Sequence, residues 1–228
     1  MPVFVLSDTI EFPHPHLASK EGLLAVGGDL SQKRLLLAYR MGIFPWFSDN
    51  DPILWWSPDP RLVLYPHEIN ISRTLKKIIK KEIFKVTMDL AFNEVINQCA
   101  KIRLKKNHGT WITGDIIEAY IRLHDSGFAH SVEVWHQGDL AGGLYGVSLG
   151  KCFFGESMFT RVSNASNIGL VKLSEFLKKL SFDLIDCQVT TEHLIRFGAK
   201  EIPRTLFLKQ LEKSLTAPTK MGKWKYIG

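Results

Sequence analysis

Two short runs of this chain place charged or amide groups where an apolar buried strand is expected. One is Phe153-Phe154-Gly155-Glu156-Ser157-Met158-Phe159 and the other is Leu184-Ile185-Asp186-Cys187-Gln188. Burying an unpaired amide costs roughly 2–7 kcal/mol, and an unpaired carboxylate more. Such groups are therefore either paired in a structural network or held ready for chemistry. A strand sends residues i and i+2 to one face, which puts Asp186 and Gln188 together and Cys187 opposite. Two interrupted strands in the same half of the chain point to one polar floor beneath one pocket.

Other chemistries leave weaker traces. The chain has three cysteines, Cys99, Cys152 and Cys187, odd in number, widely spaced and each in an apolar segment. They read as buried free thiols. No cluster of Cys and His has the short spacing of a zinc site, so no metal is expected. No Gly-x-x-x-x-Gly-Lys-Ser/Thr loop for a nucleotide triphosphate is present. Gly27-Gly28 precedes a Ser31 helix cap, which is a tight turn before it is a phosphate cradle. Aromatic residues crowd the Pro-rich span from Phe44 to Trp56, and Trp111 stands just before a second cap at Thr113. Rings beside cations can stack on unpaired bases, or can cement two lobes together. The formal net charge is +6. Arg73, Lys76, Lys77, Lys80 and Lys81 gather on one helical segment, and Lys101, Arg103, Lys105 and Lys106 on the next connection. That is either a solvated surface or a face that follows nucleic-acid phosphates.

The elements that must position these residues follow from periodicity and caps. Residues 1–65 form a small Trp/Pro/Gly-rich lobe with one clear helix, capped by Ser31 and stopped by Gly42. Residues 66–228 form the larger domain. Ser72 opens a basic helix to about Lys81, and a short strand covers Phe84 to Thr87. Asp89 caps a helix to about Lys101, and Thr113 caps another that ends at Gly127. Alternation from Ser131 to His136, Leu140 to Ser148 and Lys151 to Met158 gives a meander. A long helix from Asn164 to Leu180, a buried strand from Asp183 to Val189, and helices from Thr191 to Phe197 and Arg204 to Ser214 complete the chain. The fold class is α/β, with a mixed sheet and helices on both faces. The order strand–strand–strand–helix–strand–helix resembles the acetyl-CoA-dependent N-acetyltransferases, which join an acyl donor to an amine at a splay in the sheet. That superfamily holds the CoA pyrophosphate on a glycine-rich loop. The corresponding loop here, Thr160 to Asn167, has no glycine, which points to an acyl donor other than CoA.

A closer resemblance runs through Gly22–Ser31, Gly42–Phe47, Leu54–Arg61, Gly109–Thr113, Ala129–Trp135, Gly142–Val147, Gly155–Phe159, Leu184–Gln188 and Gly198–Arg204. Taken in order, these segments resemble the leucyl/phenylalanyl-tRNA–protein transferase family from about residue 12 to 211. The resemblance implies transfer of Leu or Phe, and less well Met, from aminoacyl-tRNA to proteins with N-terminal Arg or Lys, marking them for N-degron degradation. The donor ester is already activated, so no separate cofactor is implied. The acceptor amine, with a reference pKa of about 7.7–8.0, is partly neutral at cellular pH. By the resemblance, Gln188 contacts the attacking amine and Asp186 polarises Gln188. The alternative is a structural Asp–Gln pair. Glu156 would take the acceptor's cationic side chain, or would pair internally with a cation such as Arg161. Leu144, Phe153, Met158 and Ile185 would wall the aminoacyl pocket. Trp46 and Trp111 match the positions that sandwich the terminal adenosine of the tRNA, and Arg73, Lys76, Lys77 and Lys80 would follow the acceptor stem. Leu144 stands where some members carry methionine, the connection from Lys101 to His108 is longer and richer in lysine, and the tail after Thr216 matches poorly.

Two other readings remain at this stage: a CoA-dependent N-acyltransferase, and a non-catalytic RNA-binding module. The N-terminus lacks a basic segment followed by a long apolar one. No run of about 18 apolar residues suggests a membrane span. A cytoplasmic monomer without membrane contact is expected.

Overall fold

The computed structural model describes residues 3–105 and 111–226. The lysine-rich connection expected between Lys101 and His108 lies partly outside these residues. The first sheet contains β1 (Phe4–Leu6), β2 (Leu23–Gly27), β3 (Phe44–Pro45) and β4 (Leu54–Trp56), in the order β1-β2-β4-β3. Between β2 and β3 runs α1 (Gln32–Arg40), whose Ser31 hydroxyl accepts the Arg34 N–H as a cap. Gly27 and Gly28 both have positive φ, and the Arg34 side chain lies against Gly28. This is a turn closed by its own helix.

The chain then enters a seven-stranded sheet through β5 (Arg61–Leu64). Composition assigned these residues to the small lobe, yet β5 is an interior strand of the large sheet. It is followed by α2 (Arg73–Ile79), β6 (Lys85–Met88), α3 (Phe92–Lys105) and α4 (Gly114–Asp125). The meander is β7 (Ala129–His136), β8 (Asp139–Leu149) and β9 (Cys152–Thr160), then α5 (Ala165–Lys179) and β10 (Leu184–Gln188). Last come α6 (Glu192–Arg196), β11 (Lys200–Ile202) and α7 (Arg204–Leu215). The strand order is β11-β5-β10-β9-β8-β7-β6. Neighbours are antiparallel except β9 and β10, which are parallel from Leu184↔Cys152 to Asp186↔Phe154. Beyond that pair β10 stops at Gln188 while β9 continues to Thr160, and the sheet opens.

Each face of the large sheet has its own core. Tyr39, Ile96, Tyr120, Phe154 and Phe207 belong to one, shared with Leu24 and Trp55 of the small sheet. The two sheets thus close over common apolar residues. Leu64, Phe153, Leu173, Ile185 and Trp224 belong to the other core, beneath α5. Asp89 does not cap α3 as the spacing suggested. It is buried with φ 57, and its carboxylate accepts from the Ser131 N–H at 2.8 Å and the Trp224 N–H at 2.6 Å. Its cost of burial is met by long-range partners rather than by a helix end.

Two irregularities place the polar residues. The register of β8 on β9 shifts so that Tyr145 faces Ser157 and Gly146 faces Gly155, leaving Glu156 as an extra residue. The register of β10 on β5 shifts between Asp186 and Gln188, leaving Cys187 extra. A bulge of one residue reverses the alternation beyond it. That is why Phe153 and Met158, five positions apart, can share a wall, with Glu156 as the extra residue between them. Gly146 sits opposite the first bulge, where an added Cβ would lie 2.2 Å from the Phe154 carbonyl oxygen and 2.6 Å from the Phe153 ring. Gly146→Ala is therefore expected to destabilise the fold by about 1–3 kcal/mol. An unchanged thermal unfolding midpoint would show that the bulge relaxes without cost.

Candidate active site

At the opening between β9 and β10 lies a cavity of about 350 Å³, at the small end of the roughly 300–1,000 Å³ usual for ligand pockets. Leu144, Phe153, Met158 and Ile185 all line it, joined by Leu170 and Leu173 from α5 and Leu194 from α6. Glu156 and Gln188 also line it, as do Trp46 and Trp111. Trp46 is 42% exposed, held from below by Trp56, whose indole N–H donates to the Trp46 carbonyl at 2.7 Å. The residues brought together come from β3, β8, β9, β10, α5, α6 and the segment before α4. Arg73, Lys76, Lys77 and Lys80 stand apart from the cavity. They lie exposed on and just after α2, which packs against α5.

Asp186 is fully buried and does not line the cavity. Its carboxylate receives Arg61 with two bonds, Nε to Oδ1 at 2.8 Å and Nη2 to Oδ2 at 2.6 Å. The guanidinium itself lies between the rings of Phe44 and Phe207, 4.8 and 4.6 Å from their centroids. Asp186 Oδ1 also accepts the backbone N–H of Gln188 at 2.9 Å. Gln188 adopts φ 65, the left-handed region, which L-residues enter at a cost. The carboxylate thus holds the Gln188 main chain in its turn. This corrects the expectation from strand alternation that the two side chains lie side by side, because the bulge at Cys187 breaks that alternation. Cys187 lines the cavity, and burial pushes its thiol well above the usual range.

The Gln188 side chain turns instead to Glu156, with Nε2 donating to Oε1 at 2.8 Å. Tyr39 donates to the same oxygen at 2.8 Å, and Tyr120 to Oε2 at 3.1 Å. The two tyrosine hydroxyls also hydrogen-bond each other. The expected internal partner Arg161 is exposed and takes no part. Three O–H···O contacts among two phenols and a carboxyl need three protons, and the phenols supply two. The un-ionised form of Glu156 would supply the third by donating to one of the phenols. Burial pushes the Glu156 carboxyl up to about 7, against hydrogen bonds from Tyr39, Tyr120 and Gln188 that pull it down. The Asp186 carboxylate adds to the rise. Burial raises both tyrosines well above the usual phenol range, and the Glu156 charge adds to this.

Sequence reasoning missed Arg61, Tyr39 and Tyr120. The two tyrosines lie on the buried faces of α1 and α4. A buried phenol needs a hydrogen-bond partner, and that was the available signal. His193, also on the cavity wall, was not singled out. Burial holds its pKa below the usual histidine value, and Arg196 lowers it further. In the loop from Thr160 to Asn167, the Thr160 hydroxyl accepts the Ser166 N–H at 3.1 Å at the start of α5. Among the described residues no group of His, Cys, Asp and Glu could hold a metal, and no helix is long and apolar enough to cross a membrane.

A meander, a long helix and a parallel pair that splays beside an amide and a carboxyl define a mixed α/β domain with the element order expected from the sequence. The sequence matches "Leucyl/phenylalanyl-tRNA protein transferase" over residues 63–212 and the N-terminal domain of that family over residues 28–59. A leucyl/phenylalanyl-tRNA–protein transferase of Desulforapulum autotrophicum is 55% identical over 228 residues, covering 100% of both chains. One from Syntrophus aciditrophicus is 57% identical over 224 residues, covering 98% of this chain and 94% of its own. The chain belongs to the leucyl/phenylalanyl-tRNA–protein transferase family and is an aminoacyltransferase. Among solved structures, an aminoglycoside acetyltransferase from an uncultured soil metagenomic sample, in complex with sisomicin, is similar at 12% identity and a TM-score of 0.39. It covers 64% of this chain and 97% of its own.

The raised Glu156 carboxyl has a measurable consequence. Between its ordinary value of 4.5 and about 7, the folded chain keeps a proton that the unfolded chain has released. Its contribution to stability is therefore full below the ordinary value and is lost as pH rises through 7. Glu156→Gln should lose less stability than the parent between pH 5 and 8, by on the order of 2–3 kcal/mol. Identical pH slopes for unfolding of the two proteins would place the carboxyl in the ordinary range.

Proposed function

We propose that the protein moves Leu or Phe, and less well Met, from aminoacyl-tRNA to the N-terminal Arg or Lys of acceptor proteins, marking them for N-degron degradation. The observation that carries this reading is a cavity in which apolar walls, an amide–carboxyl pair and two flanking tryptophans meet. Leu144, Phe153, Met158 and Ile185 hold the donor side chain. An apolar wall with a flexible Met discriminates weakly, at about 10–200-fold per methylene, so related unbranched side chains share it. Trp46 and Trp111 stack on the terminal adenosine, and Arg73, Lys76, Lys77 and Lys80 meet acceptor-stem phosphates, contacts that position without reading sequence.

The acceptor amine nitrogen attacks the ester carbonyl carbon. A C–N bond forms, the bond from that carbon to the ribose oxygen breaks, and a proton passes from nitrogen to that oxygen. Gln188 is the catalytic residue that meets the amine. Its Nε2 is committed to Glu156, which leaves its carbonyl oxygen free to accept from the amine. Asp186 acts through the Gln188 main chain, as a positioning residue. Glu156 receives the acceptor's cationic side chain. A cation arriving beside a carboxyl poised near 7 draws it into the ionised form, which couples acceptor entry to proton release. Much of the rate comes from holding ester and amine together. On this reading the protein acts in the cytoplasm as a monomer.

Labelled leucine from Leu-tRNA is expected to appear on a peptide beginning with Arg and not on one beginning with Asp. RNase treatment of the donor should abolish transfer. Equal labelling of both peptides would sink the acceptor rule, and acylation from acetyl-CoA would sink the donor. Trp111→Ala is expected to weaken tRNA binding by about 1–3 kcal/mol with little change in thermal stability. Marked unfolding in that variant would instead make Trp111 a core residue.

A further inference from the structure

The segment after α7 lies beyond residues 63–212, although full-length relatives extend through it, and no sequence motif reached it. It is nevertheless tied down at successive points. The Thr219 hydroxyl accepts the Gly150 N–H at 2.9 Å, at the turn between β8 and β9. The Gly222 N–H reaches the Gly127 carbonyl at 3.2 Å, and the Trp224 N–H reaches Asp89 Oδ2 at 2.6 Å. A Cβ on Gly127, which has φ 78, would stand 2.3 Å from Gly222 N, so the strap passes where only glycine leaves room. Trp224 is 1% exposed. Its ring lies flat on His130 at 3.7 Å and 10°, within 5.1 Å of Phe176, 5.9 Å of Phe153 and 6.0 Å of Phe182 between ring centroids. His130 is fixed in turn by its Nδ1 contact with Asp89 at 2.8 Å. Phe153 therefore connects this aromatic cluster with the cavity. It lines the cavity and also meets Trp224.

We propose that Trp224 is a positioning residue that sets the depth of the donor side-chain pocket by holding Phe153 forward. The inference rests on the cavity being the site of the donor side chain. Protein interiors are close-packed, so a ring backed by another ring cannot recede. With a smaller residue at 224, Phe153 can tilt into the freed space and the cavity deepens. A Phe donor gains more from that depth than a Leu donor. The strap thereby sets donor preference from a position that touches neither substrate.

The test compares kcat/KM for Leu-tRNA and Phe-tRNA on one Arg-initiated peptide, using the full chain. The ratio of the two is independent of how much of a preparation is folded, so lost stability alone does not move it. Trp224→Leu is expected to shift the ratio toward Phe by about three- to tenfold, below the range for a direct pocket contact. Trp224→Phe, which keeps a ring on His130, should shift it less in the same direction. Met158→Ala, a direct change in the wall, is the reference. A ratio moved by Met158→Ala and untouched by both Trp224 variants would overturn the role of the strap and leave the pocket assignment standing. A ratio untouched by all three would overturn the pocket assignment and the proposal with it.

Discussion

The buried pair of Arg61 and Asp186 is the interaction on which the site depends. Neither side chain reaches solvent to any useful extent, and each would be costly to bury alone. Two parallel hydrogen bonds satisfy the carboxylate toward the guanidinium, and its Oδ1 also takes the Gln188 N–H. The rings of Phe44 and Phe207 cover the guanidinium. Through one ion pair the small sheet, the last helix, β5 and β10 are brought to one point. The strained turn at Gln188 is held from that point.

The second centre is Glu156, and it works by a different logic. Asp186 is neutralised by a cation, whereas Glu156 is surrounded by neutral donors. Hydrogen bonds to a carboxylate lower its pKa, but here burial outweighs three of them. The result is a carboxyl poised to change state near neutral pH, within reach of the cavity. Two acids in adjacent strands thus serve different ends because their partners differ. The bulges at Glu156 and Cys187 make this possible, since they turn consecutive residues away from the alternation that a regular ladder would impose.

The small sheet contributes more than aromatic cover. Its α1 supplies Tyr39 to the Glu156 network, its β3 supplies Phe44 to the ion pair, and Trp46 follows directly. The shared core fixes these contributions relative to the large sheet. The exposed cations of α2, a helix that packs against α5, do not line the cavity.

By itself the sequence determined the residue types at the site and the local elements that hold them. Ser31, Ser72, Thr113 and Thr191 cap the helices that follow them, because a cap acts within three residues of its own position. The demand that Glu156, Asp186 and Gln188 find partners was legible as well, because an unpaired polar group is costly to bury. Only the tertiary structure decided which partners. Arg61 lies 125 residues from Asp186, and Tyr39 lies 117 from Glu156. Asp89, which reads as a helix cap, is taken instead by His130, Ser131 and Trp224. The cost of burying a polar group requires a partner without naming one. The choice is made where strands bulge and helices pack, by contacts whose separation along the chain leaves no periodic trace.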